Sequence, residues 1–75
     1  MKRVGEIVGA TQGVAVVRAP GDEHPGIGTT VIDEQLEDVG RVVDVFGPVD
    51  RPYLAVTPAR KSVVPLVGNV LYSRE

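Results

Sequence analysis

The residues able to carry covalent or acid–base chemistry are few and poorly placed for it. There is one histidine, His24, and no cysteine. Ser62 and Ser73 lie in no nucleophile motif. Asp22, Glu23 and His24 are three metal-ligand types in a row. Adjacent residues rarely converge on one ion, and the flanking Pro-Gly pairs frame a solvated loop. Gly26-Ile27-Gly28 begins like a dinucleotide fingerprint but lacks the third glycine and a surrounding βαβ unit. Asp33, Glu34, Glu37 and Asp38 read as a solvated acidic face; attraction of a cation or a basic partner surface is the alternative. The sequence therefore predicts no catalytic residue, no metal site and no cofactor.

Recognition chemistry is better represented. The stretch DVFGPVDRPYLAV, Asp44 to Val56, holds Phe46 and Tyr53, two of the three aromatics. Gly47, Pro48 and Pro52 lie between them, and the prolines restrict the backbone, which lowers the entropy lost on binding. Aromatics on such a platform suit a protein interface, base stacking or a barrel core. Strand parity decides between outside and inside. Val43 and Val45 share one face of a strand from Arg41 to Phe46, and Leu54 and Val56 share one face of a strand from Tyr53 to Thr57. Pairing Val45 with Leu54 also pairs Val43 with Val56 and merges the two apolar faces. Phe46 then falls opposite Tyr53 on the outward side, with Asp44.

These two strands belong to a wider β pattern. Valine dominates, and glycine and proline punctuate the chain at short intervals, which favours an all-β fold. Lys2 to Gly9 is a strand of blurred alternation whose glycines suggest bends or close backbone approach. A turn at Thr11-Gln12-Gly13 leads to Val14–Ala19, which is apolar on both parities until Arg18, as in a strand buried on two sides. Pro20 to Gly28 reads as a mobile loop and Thr29 to Ile32 as a short strand. Residues 33 to 38 make one helical turn or a polar connection. After Pro58, Ala59 to Pro65 is a loop exposing Arg60 and Lys61, and Leu66 to Tyr72 is a sixth strand broken at Gly68-Asn69. Tyr72 is read as barrel packing with a wet hydroxyl. No repeat is evident. Six short antiparallel strands suggest a small closed or nearly closed barrel forming one domain over residues 1–75, with little room for a catalytic cleft.

Composition narrows the function. The 75 residues carry eight basic and ten acidic side chains, a formal net charge of −2. Independent nucleic-acid binding relies on phosphate neutralisation, so this balance disfavours it; Arg51, Arg60 and Lys61 are the candidates for a local basic patch. No run reaches the about 18 apolar residues of a membrane span. Met1-Lys2-Arg3 is followed by Gly5, Glu6 and Gly9, unlike a signal peptide. A soluble, cytoplasmic protein is expected. A core this small, with no disulfide available, leaves a well-packed barrel, a partner, or both to stabilise it.

The order of residues in VGRVVDVFGPVDRPYLAV, with the opening KRVGEIVGATQGVAVVRA and the closing VGNVLY, resembles the Gar-type small subunit of H/ACA ribonucleoproteins in its compact archaeal form. PGDEHPGIG and the ARKSVVP loop have no clear counterpart, and the glycine–arginine-rich tails of eukaryotic members do not occur in these residues. The resemblance implies a six-stranded barrel of the reductase, isomerase and elongation-factor kind. It implies a non-enzymatic accessory role in ribosomal RNA pseudouridylation. The implied partner is the dyskerin-like pseudouridine synthase subunit, with only indirect links to guide RNA and the other H/ACA proteins. The contact residues it implies are Phe46, Gly47, Pro48, Val49, Pro52 and Tyr53, supported from the core by Val45 and Leu54. It further implies an effect on a substrate-holding loop of the synthase.

Overall fold

The computed structural model describes residues 1–59 and 64–74. It is a closed antiparallel barrel of six strands: β1 (Lys2–Thr11), β2 (Val14–Arg18), β3 (Thr30–Ile32), β4 (Asp38–Phe46), β5 (Tyr53–Pro58) and β6 (Val70–Ser73). Around the ring the order is β1-β2-β5-β4-β3-β6. The all-β barrel read from the sequence is therefore the fold. Its boundaries differ in places. The polar stretch after Ile32 is a turn, and β4 already begins at Asp38. The segment expected as one broken strand from Leu66 is a 3₁₀ turn, Val64–Leu66, followed by β6. Arg60, Lys61 and Ser62 lie outside the described residues.

The core is aliphatic. Val4, Ile7, Ala15, Val17, Val31, Val39, Val42, Leu54, Val56 and Leu71 form one buried cluster, with Val45 and Leu66 packed against it. Each fully buried branched side chain contributes on the order of 1.5–3 kcal/mol.

Inward residues of the two long strands do not alternate. In β1 they are Val4 and Ile7, and in β4 they are Val39, Val42 and Val45, in both cases three apart. The cause is four β-bulges. β1 shifts register between Arg3 and Gly5 against β6, and between Ile7 and Gly9 against β2. β4 shifts around Val39, where Val31 pairs Gly40 and Ile32 pairs Asp38, and between Val42 and Asp44 against β5. Each bulge adds one residue and bends its strand, so both strands curl around a narrow core.

The last of these bulges corrects the expected β4–β5 register. Val45 does pair with Leu54 and Phe46 with Tyr53. Beyond them Val42, not Val43, pairs with Val56. Val42 is fully buried, and Val43 is turned outward at 44% exposure. Strict alternation failed there because the extra residue resets parity. Asp44 secures the bulge: its Oδ1 accepts the Val45 amide at 2.8 Å.

The bulges also uncover a likeness within the chain that the sequence pattern hid. The ring order is preserved when β1, β2 and β6 are exchanged with β4, β5 and β3. Val4-Gly5 in VGEIVG and Val39-Gly40 in VGRVVD then occupy equivalent places. A Cβ on Gly5 would stand 2.2 Å from the Arg18 carbonyl oxygen, and one on Gly40 would stand 2.1 Å from that of Thr57. Both strands cross their neighbours too closely for any side chain.

Two features frame the remaining surface. β3 and β6 pair through Ile32 and Tyr72 alone among the described residues. Asp33, buried at the end of β3, accepts the Gln35 and Glu37 amides on its Oδ1 at 2.8 and 3.1 Å. It organises the turn into β4 and is not part of a solvated acidic face, as the sequence pattern suggested; Glu34, Glu37 and Asp38 are exposed.

A substitution test follows from the glycine crossings. Gly40→Ala should destabilise the barrel by about 3 kcal/mol, because a backbone carbonyl must move. Gly9→Ala, where a Cβ meets nothing within 4 Å, should stay within about 0.5 kcal/mol of the parent. Urea unfolding midpoints at constant slope measure both.

Candidate functional site

The outer face of β4, β5, β2 and β1 carries two rows of side chains. Register pairs Phe46 with Tyr53, Tyr53 with Arg18 and Arg18 with Glu6. The next row runs Asp44, Ala55, Val16, Gly9. Bulge residues Val8 and Val43 flank this second row, exposed by 46% and 44%. The face carries an apolar stretch through Phe46, Tyr53, Ala55, Val16 and Gly9, with Asp44, Arg18 and Glu6 set among them.

The first row is built as a stack. The Phe46 and Tyr53 rings lie 5.6 Å apart at an interplanar angle of 18°. On the other side the Arg18 guanidinium sits 4.6 Å from the Tyr53 ring centroid, a cation–π arrangement. Its Nη1 also donates to the Tyr53 hydroxyl. Tyr53 is half-buried between these neighbours, while Phe46 remains 45% exposed.

The loop from Gly47 to Pro52 is tied down at its base. The Arg51 amide donates to the Pro48 carbonyl at 3.3 Å, closing a turn. The Ala19 amide donates to the Pro52 carbonyl at 3.0 Å, and Arg51 Nε donates to the Ala19 carbonyl at 3.1 Å. Gly47 takes φ 88°, and a Cβ there would press on Tyr53 Cδ2 at 2.9 Å. Glycine is what lets the loop leave β4 close beside the tyrosine ring. At the tip Val49 is 91% exposed.

Comparison with known proteins places the chain in a family. The model of the Gar1/Naf1 RNA binding region matches residues 1–74. The chain belongs to that family. Its members are small, non-catalytic subunits related to H/ACA ribonucleoproteins. The resemblance carried by VGRVVDVFGPVDRPYLAV thus holds over nearly the whole chain. An uncharacterized protein of Methanocaldococcus jannaschii is 40% identical over 45 residues, covering 60% of this chain and 54% of that protein. The match spans about half the length of that relative.

The six residues expected to make contacts are placed unequally by the barrel. Phe46, Gly47, Pro48 and Val49 are exposed together on the hairpin, and Tyr53 shows part of its ring. Pro52 is buried, its carbonyl bonded to Ala19, so it braces the loop from below and presents no contact surface. Val8, Val16, Val43 and Ala55 belong to the same outer face and were missed. The available signal was the doubly apolar β2: Ala15 and Val17 point inward, while Val14 and Val16 are half-buried on the outside. The other sequence candidates do not assemble. His24 Nδ1 lies 2.9 Å from the Pro25 carbonyl, and no cluster of three His, Asp or Glu side chains able to hold a metal occurs among the described residues.

The stack separates two substitutions that look alike in sequence. Phe46→Ala should lower stability by less than about 1 kcal/mol, since the ring is half in solvent. Tyr53→Ala removes the middle of the stack and should cost about 2 kcal/mol. Thermal and urea unfolding of the two variants give the comparison.

Proposed function

We propose that this chain is a non-catalytic accessory subunit of an H/ACA RNA-guided pseudouridine synthase complex. It docks on the synthase catalytic subunit through the β4–β5 hairpin, using Phe46, Gly47, Pro48, Val49 and Tyr53, and aids substrate placement and turnover in ribosomal RNA pseudouridylation. The observation that carries this reading is the exposed Phe46–Tyr53 stack beside a hydrogen-bonded, proline-framed loop, on an otherwise aliphatic barrel. A small protein that keeps its core aliphatic and sets two aromatics outside has the makings of an interface anchor. The family match supports the ribonucleoprotein setting, and the likeness to a Methanocaldococcus protein supports an archaeal one.

Direct RNA binding is the second reading. The family description names an RNA binding region, and Arg3, Arg18 and Arg51 line one groove. The net charge of −2 weighs against it as the main source of affinity.

Two measurements decide. Capture of the synthase catalytic subunit by this chain should survive RNase, and Phe46→Ala should weaken it by about 1–3 kcal/mol. Tight, salt-sensitive binding of guide RNA by the isolated chain, with no RNase-resistant capture, would favour the second reading. In reconstituted particles the chain should raise multiple-turnover modification more than it raises guide-RNA affinity. Equal single- and multiple-turnover rates with and without it would remove the proposed role in turnover.

A further inference from the structure

We infer that the groove at the Arg18 end of the outer face receives a carboxylate from the protein partner, so that docking reads an acidic side chain set beside an apolar contact. This deepens the docking reading above and rests on it.

The groove has a volume of about 330 Å³ and is lined by Arg3, Arg18 and Arg51, with Val8 and the single carboxylate of Glu6. These arginines come from β1, β2 and the hairpin loop, so three separate elements bring cations to one place in a chain whose net charge is −2. Arg18 is half-buried. Its Nη1 is engaged by the Tyr53 hydroxyl, and its Nε is buried without a hydrogen-bond partner. A guanidinium stays charged at any physiological pH, and burying one of its N–H groups without a hydrogen-bond partner is costly. The Tyr53 ring fixes its position. Arg51 is likewise fixed through Nε on the Ala19 carbonyl, which leaves its terminal nitrogens available. Planar forks held in this way suit an oxyanion with two oxygens.

The fold does not itself require arginine at this place. The equivalent groove on the other half of the barrel, beside Gly40, has Thr57 where this one has Arg18 and Asp38 where it has Arg3. The same backbone geometry occurs twice and carries the arginine set once.

A carboxylate fits better than a nucleic-acid backbone. The groove runs directly into the apolar face through Val8. Glu6 opposes an extended polyanion more than it opposes one charge held between three cations. Affinity for RNA also grows with the number of phosphates neutralised, and the rows beyond the groove offer valine and alanine instead of further cations.

The test uses the full chain, the isolated synthase catalytic subunit after RNase treatment, and a single-stranded RNA oligonucleotide. Arg18→Gln and Arg51→Gln should each weaken synthase binding by about tenfold or more and flatten its dependence on salt. Arg41→Gln, in the equivalent groove, should bind as the parent does. Arg3 is exposed and holds no part of the loop, so a loss of affinity in Arg3→Gln keeps the comparison valid if Arg18→Gln lowers the melting temperature or Arg51→Gln loosens the loop. Parent-like synthase affinity for Arg51→Gln and Arg3→Gln overturns the inference while leaving the docking reading intact. Loss of oligonucleotide binding with synthase affinity unchanged also overturns it and makes the groove a phosphate site. Failure of the parent chain itself to bind the synthase overturns the docking reading beneath it.

Discussion

The barrel depends on two places where backbone meets backbone with no room for a side chain. Gly5 lies against the Arg18 carbonyl and Gly40 against that of Thr57. A six-stranded barrel of this size closes only if its longest strands coil tightly. β1 and β4 do so through paired bulges beside these glycines. The bulges in turn decide which valines fill the core and which face outward. Val4 and Val39 are turned in, and Val8 and Val43 are turned out. The shape of the core and the apolar character of the outer face are thus two results of one backbone device.

An aliphatic core frees the aromatics for other work. Valine, leucine, isoleucine and alanine fill the interior, so neither Phe46 nor Tyr53 is needed there. Both can stack on the surface, where the ring pair and Arg18 hold one another in place. The loop above them is held by bonds from Ala19 and Arg51, and its backbone is limited by Pro48 and Pro52. Binding through such a surface loses little conformational entropy, because the groups are already ordered.

Much of this was legible in the residue order. The strand count, the antiparallel barrel, the Phe46–Tyr53 pairing and the outward position of the aromatics all follow from β-branched runs, turn residues and parity. What alternation could not carry was the bulges. Val42 and Val43 are adjacent valines, and nothing in their identity says that Val43 is the extra residue between Val42 and Asp44. That one insertion exchanged their positions inside and out. Pro52 was misplaced for a related reason: a proline beside an exposed loop reads as surface until its carbonyl is seen bonded to Ala19. The internal likeness of VGEIVG and VGRVVD escaped notice because it is short, and only a shared position in the ring gives it meaning. In β2, apolar residues on both parities were read as burial on two sides. One side is the core, and the other is the uncovered face.

The pairing of β3 with β6 has a bearing on motion. This seam is held through Ile32 and Tyr72, and it lies across the ring from the β2–β5 ladder that runs from Ala15 and Val56 to Arg18 and Tyr53. Among the described residues this ladder has the fewest paired positions, so the least strand pairing opposes its opening. The Arg18–Tyr53 pair of the outer face lies on the continuous β2–β5 ladder instead. The barrel therefore keeps its most sparsely paired joint on the side turned away from the Phe46–Tyr53 stack.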